Sequence, residues 1–217
     1  MPCTLVPWSI TPAGRSGQPR SRQRWPLRSP ASRGFPFWLG CTTILRGGAL
    51  AAQGQGEAGL RQIHQGLDTI RATGTKAACI ALALLARAYG KVGQAEAGLS
   101  VLAEALELVH RTGERVNETE LYWLRGELTL QQFNVQGSKF KVQEEAEACF
   151  HKAIEIARRQ SAKSWELRAV MSLSQLWQQQ GKKEAARQML AEIYGWFTEG
   201  FDTADLREAR ALIEELA

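Results

Sequence analysis

The strongest constraint on this chain is that it repeats itself. Glu57-Ala-Gly-Leu60 recurs as Glu96-Ala-Gly-Leu99, and Ile70-Arg-Ala-Thr-Gly74 returns as Val109-His-Arg-Thr-Gly113, both 39 residues downstream. Between the matching pieces, Leu82, Leu85, Ala86 and Tyr89 fall at i, i+3, i+4 and i+7, the spacing of one helix face. A turn signal follows at Gly93, and then Gly98, Leu102 and Ala105 continue the same logic at i, i+4 and i+7. Two amphipathic helices joined by a short glycine turn form an antiparallel pair. The small residues mark the places where the two backbones approach most closely. Such a pair has too little surface to bury its apolar face alone, so it requires neighbours.

The neighbours are present in the sequence. Upstream, the stretch from Thr43 to Ala52 aligns with Leu82–Lys91 and predicts a first helix there, weakened by Gly47 and Gly48 at about 1 kcal/mol each. Its partner runs from Glu57 to Thr73 with Gly74 as the C′ residue. The second hairpin spans Lys76–Lys91 and Gln94–Thr112. Ala146, Phe150 and Ala153 occupy the positions of Gly98, Leu102 and Ala105, which predicts a third hairpin over Asn117–Phe133 and Gln143–Gln160. That unit carries about eight extra residues between its helices, around Asn134–Lys141. Ala186 and Leu190 continue the register into a fourth hairpin, Ala162–Gln180 with Lys182–Phe197. A last helix begins near Asp202 as N-cap, with Asp205 three residues on as in a capping box. Its apolar stripe is Leu206, Ala209, Leu212, Ile213 and Leu216. The expected fold is all-α: a solenoid of about four hairpins plus a C-terminal capping helix.

Residues 1–33 obey none of this. The seven prolines of the chain all lie between Pro2 and Pro36, mixed with Arg, Ser and Gly, and no helical or strand period survives. The expectation is a disordered segment over 1–33 ahead of a helical repeat domain over 34–217. Three readings of the segment stand open: a shifted reading frame or misplaced start, a plain disordered tail, or an Arg-rich targeting leader or nucleic-acid arm. The net charge of +5 belongs to this end. Residues 1–56 hold seven Arg and no acid, and the remainder has 20 basic against 22 acidic residues. A nucleic-acid surface on the repeat body is therefore not expected. Four cysteines without metal spacing suit a reducing, cytoplasmic setting, and the longest apolar run is too short to span a membrane.

No catalytic constellation emerges, so the expectation is a protein that is not an enzyme and binds no cofactor or metal. His64, His110 and His151 stand alone, and Cys149 and His151 lie on different helix faces. Glu144, Glu145 and Glu147 read as an acidic helix start favoured by the macrodipole. Trp165, Trp177 and Trp196 read as packing residues.

The hairpin from Ala81 to Gly113 resembles a tetratricopeptide repeat, in which a large residue, a Tyr, a Gly, an Ala and an aromatic recur at these offsets. The resemblance implies a concave face lined by the first helix of each hairpin, holding peptides or partner helices. Carried over residue by residue, that face comprises Ala83, Arg87 and Lys91, then Trp123, Glu127 and Gln131, then Met171, Gln175 and Gln179. An aromatic, a Met, two cations and several amides suit a polar peptide with an apolar anchor. The alternative is that this face contacts another domain of a longer chain.

Several stretches are also similar to the C-terminal repeat tail of large bacterial signalling proteins, in which a nucleotide cyclase or kinase domain and an AAA-type ATPase precede the repeats. They are Gly34–Leu39, Thr43–Gly47, Ala49–Gly56, Ala157–Gln160 and Tyr194–Asp205. The resemblance covers about Gly34 to Ala217 and implies a scaffold or sensor role without activity, with a protein or peptide partner or further parent domains. A regulatory subunit acting in trans on a separate cyclase or ATPase is the second reading. Nucleic-acid binding through the Arg-rich arm is the third.

Overall fold

The structure, a computed structural model, describes residues 31–73, 79–132 and 139–217. The expectations placed on residues 1–30, on Gly74 and on the centre of the Asn134–Lys141 loop lie outside these described residues. Nine helices and no strand occur among them: α1 (Ala31–Ala52), α2 (Gly56–Ala72), α3 (Cys79–Lys91), α4 (Ala95–Thr112), α5 (Glu118–Gln132), α6 (Lys139–Arg159), α7 (Lys163–Gln179), α8 (Lys183–Tyr194) and α9 (Ala204–Leu216). They form four antiparallel hairpins and a terminal helix, the all-α, tetratricopeptide-like solenoid expected from the repeat.

The register follows the small-residue logic. Gly59, Gly98, Ala146 and Ala186 hold equivalent buried positions in α2, α4, α6 and α8. The large residues that follow, Ile63, Leu102, Phe150 and Leu190, are fully buried. Gly54, Gly93 and Gly181 make the turns of three hairpins in left-handed backbone, with φ of 85°, 75° and 78°, a conformation that a Cβ would strain. Gly113 closes α4 in the same way, its N–H bonding to Val109 O.

Contacts between units define two layers. The first helices α1, α3, α5 and α7 touch in series and α7 touches α9, whereas the backbones of α2, α4, α6 and α8 stand apart, with the Arg71–Glu104 ion pair reaching from α2 to α4. Helices on the inside of a curved stack crowd together and those on the outside splay apart. The odd-numbered helices therefore line the concave side.

Four sequence expectations require correction. The first helix extends upstream of Thr43 to Ala31 and runs through Pro36. Helix α6 starts at Lys139, ahead of the expected Gln143, so part of the extra length in the third hairpin is helix rather than loop. Glu144, Glu145 and Glu147 consequently lie beyond its first turn, outside the strongest part of the helix dipole. Asp202 does not cap α9. Thr203 is the N-cap residue, without a side-chain capping bond, and Asp205 reaches across to α7.

Glycine decides how tightly the first hairpin closes. A Cβ on Gly47 would lie 2.7 Å from Gly59 O, and one on Gly66 would lie 2.7 Å from Gly40 O. Gly40 and Gly47 of α1 thus meet Gly66 and Gly59 of α2 backbone to backbone. In the third hairpin one glycine suffices: the Phe150 ring fills the space where a Gly126 Cβ would stand, 2.5 Å from Cε1.

Candidate interaction surface

The concave side is built by one stripe from each first helix. On α5 it holds Glu120, Trp123, Glu127 and Gln131, at helical spacings of three and four. On α7 the corresponding stripe is Trp165, Arg168, Ser172, Gln175 and Gln179. Helix α3 contributes Arg87 and Lys91.

These residues are joined in a ladder that runs across the hairpins. The Arg87 guanidinium pairs with the Glu120 carboxylate and lies 5.7 Å from the centre of the Trp123 ring. The Trp123 and Trp165 rings are 5.8 Å apart and tilted, and Arg168 stacks on Trp165 at 4.9 Å. Arg168 Nε then donates to Asp205 Oδ2 of α9 at 2.8 Å. Two tryptophans are thereby held between two arginines, an arrangement in which the ring quadrupoles favour the cations. The Trp123 Nε1–H donates to Ser172 Oγ at 2.9 Å, which fixes the indole plane.

Both carboxylates of this stripe titrate high. Burial lifts the Glu120 carboxyl, and the nearby Arg87 and Arg168 charges only partly offset it. Burial also lifts Glu127, offset in part by its hydrogen bond with Ser172. Removal from water disfavours the charged form in each case.

The expected groove residues divide into three groups. Arg87, Trp123 and Glu127 are half-buried within the ladder. Lys91, Gln131, Gln175 and Gln179 are exposed on the same side. Met171 and Ala83 are buried in the core, so they form the floor beneath the face instead of lining it. Sequence reading missed Glu120, Trp165, Arg168 and Ser172. The signal was available: Trp165, Arg168, Ser172, Gln175 and Gln179 form a continuous i, i+3, i+7 stripe. Of the three residues expected on α7, Gln175 and Gln179 lie on this stripe and only Met171 does not. Between α1 and α3 the face continues as a cleft of about 180 Å³, lined by Leu45, Gly48, Ala52, Leu84 and Ala88 with Arg87 and Lys91 at its rim.

Two of the three histidines that read as isolated, His64 and His151, have partners. His64 Nε2 and the Tyr89 hydroxyl are 3.0 Å apart, linking α2 to α3. Glu147 accepts from Trp177 Nε1–H at 2.8 Å and has His151 and Lys182 at 3.7 Å. Trp177 thus packs between helices, as expected, whereas Trp196 is exposed beneath Lys163. Among the described residues no group of three or more His, Cys, Asp or Glu could hold a metal ion, and no helix is long and apolar enough to cross a membrane.

A second polar cluster gathers at the end of α6 and joins it to α5 and to α7. Arg158 Nε and Lys163 Nζ each lie 2.7 Å from the buried Glu166 carboxylate. Arg159 stands 3.6 Å from the buried Glu118. Gln160 donates to Arg115 O at 2.7 Å and accepts from the Thr119 hydroxyl at 3.2 Å. Burial alone would raise the Glu166 carboxyl, but the hydrogen bonds and charges of Lys163 and Arg158 outweigh it and hold it low. Within the Ala157–Gln160 stretch, Arg158 reaches forward to α7 while Arg159 and Gln160 reach back to the start of α5.

No family model and no curated protein matches the sequence. Solved structures do. The nearly identical TPR-like repeats of a kinesin light chain candidate from Podosopora anserina superpose with a TM-score of 0.62 at 15% identity, over 83% of this chain and 86% of that one. A thermophilic TPR protein of Thermus thermophilus gives 0.57 at 19% identity, over 85% and 80%. BtubC (BKLC) from P. vanneervenii gives 0.53 at 15% identity, over 86% and 87%. At these identities the likeness concerns the fold, and it agrees with the hairpin geometry: the chain is a tetratricopeptide-like α-solenoid.

Proposed function

We propose that the protein is a non-catalytic interaction scaffold that holds a protein or peptide partner against its concave face. The observation that carries this reading is the Arg87–Trp123–Trp165–Arg168 ladder. Trp and Arg supply large contact area and directional donors, and residues already fixed by their neighbours lose little freedom on binding. The carboxylates of Glu120 and Glu127, kept in the same half-buried stripe, would give the face a demand for donors on the partner. An extended or helical segment with an apolar anchor beside Lys, Arg or amide groups suits that chemistry.

Selection of peptides on the immobilised protein tests the reading. Gln175→Arg and Lys91→Glu alter exposed positions of the face without entering the core, and each is expected to weaken selected peptides at least tenfold. Arg111→Ala, on the exposed side of α4, is the control. Equal loss in all three variants, or in none, contradicts a concave-face site.

We infer further that the chain corresponds to the repeat tail of a large signalling protein, with the partner supplied by cyclase, kinase or ATPase domains. The stretches that resemble that family support this, Ala157–Gln160 and Tyr194–Asp205 among them. An upstream coding region for such domains, in frame or frame-shifted, is the expected genomic context. A separate cyclase or ATPase gene alone would favour a subunit acting in trans.

A further inference from the structure

The two ends of the solenoid differ in chemistry. At the C-terminal end, α9 buries Leu206, Ala209, Leu212 and Leu216 and turns Arg207, Glu208, Arg210, Glu214 and Glu215 outward. At the other end α1 exposes large apolar side chains: Phe35 is 74% exposed, Trp38 66%, Leu39 52% and Leu45 62%. With Thr42, Arg46, Ala49 and Ala52 they make one stripe at i, i+3, i+4 and i+7, opposite the buried Gly40, Ile44, Gly47 and Ala51. Among the described residues α1 packs only against α2 and α3. An apolar stripe of this length on a surface helix marks an interaction site.

We propose that this stripe is a self-association surface, on which the α1 helices of two copies pair antiparallel about a two-fold axis at Thr42. The sequence of the stripe is complementary to itself when reversed. With the axis at Thr42, Phe35 of one copy faces the small Ala49 of the other, and Leu39 faces Leu45. Trp38 faces Arg46. Large side chains meet small ones, and the single charge of the stripe meets an indole face, its natural partner in a helix without Asp or Glu. An interface of this kind repeats each contact twice, as two-fold symmetry requires. Head-to-tail stacking is disfavoured, because the charged outer side of α9 offers nothing to an apolar stripe.

Sedimentation of the full chain across a concentration series tests the proposal. The expected species is a dimer of twice the single-chain mass. Leu39→Glu and Leu45→Lys should each weaken it at least tenfold while leaving helicity unchanged, since both side chains are more than half exposed in the single chain. Mixing the two variants should restore a dimer, because the introduced carboxylate of one copy then faces the introduced ammonium of the other. A mixture that stays monomeric overturns the proposed register. A wild-type chain that is monomeric at every concentration, or a dimer indifferent to both substitutions, overturns the surface.

Discussion

At the scale of single residues, Gly47 and Gly48 show how the same amino acid does opposite things one position apart. Both lower the helix propensity of α1, and the sequence alone assigns them the same penalty. In the structure Gly47 lies against the backbone of α2, where a Cβ would sit 2.9 Å from Ile63 N. A Cβ on Gly48 meets nothing nearer than Leu84 Cδ2 at 3.7 Å. Gly48→Ala is expected to stabilise by up to about 1 kcal/mol through propensity. Gly47→Ala should destabilise by about 1–3 kcal/mol, since backbone atoms cannot move aside as a side-chain tip can. Thermal or denaturant midpoints of the two variants check the contrast, and equal midpoints would show that the helices are not in backbone contact. Glu127 illustrates a second residue-scale effect. Its carboxyl titrates above the ordinary 4.5 because it is removed from water. A carboxylate raised in the folded state opposes folding when charged, and that penalty disappears as pH falls through its folded pKa towards the unfolded value. Glu127→Gln should therefore gain on the order of 1 kcal/mol at pH 7, with the gain vanishing below about pH 4.5. Urea midpoints across pH measure it. A gain that persists in acid would assign the effect to packing and not to charge.

Helices and hairpins are the scale at which the sequence was most legible, because period and residue size act together there. The 39-residue offset of Glu57–Leu60 and Glu96–Leu99 placed the hairpins, and Gly93 and Gly181 placed turns that prove to need left-handed backbone. Legibility ended where a signal had two physical meanings. Asp202 and Asp205 match a capping pattern, yet the carboxylate of Asp205 gains more from the Arg168 guanidinium across the interface. Pro36 reads as a helix breaker, while α1 continues through it. On α7 the sequence points to Gln175 and Gln179 on the concave side but also to Met171, which looks like an apolar anchor until its burial is known. The terminal helix carries its own prediction. Leu206, Leu212 and Leu216 are buried by contact with α7 and α8, worth roughly 1.5–3 kcal/mol each before entropy is subtracted. Removing residues 202–217 should lower the melting midpoint and speed hydrogen exchange in α7 and α8, with little change in α1–α4, as expected where units contact only their neighbours. Unchanged protection in α7 and α8 would make α9 dispensable.

Across the whole molecule, the buried core falls into two clusters. One runs from Ile44 to Leu128 and the other from Ala146 to Leu216; they part between the helices of the third hairpin, whose connection is the longest within any of the four hairpins. Tyr122 and Trp123 pack against both. The Trp123–Ser172 hydrogen bond and the Trp123–Trp165 contact, together with the Arg159–Glu118 pair and the Thr119–Gln160 bond, therefore join the two halves. The tryptophan ladder has two consequences at once: it couples the hairpins and it fixes the side chains of the concave surface in place. Under the proposed function a partner docks on this face with little rearrangement, and its presence should be felt at the two indoles first. Side-chain NMR of the indole N–H groups, recorded while a selected peptide is titrated in, tests this most directly. The account predicts that the Trp123 and Trp165 signals shift and saturate together, and that those of Trp38 and the exposed Trp196 stay in place. Saturable binding that moves Trp38 or Trp196 and leaves Trp123 and Trp165 unchanged would contradict it.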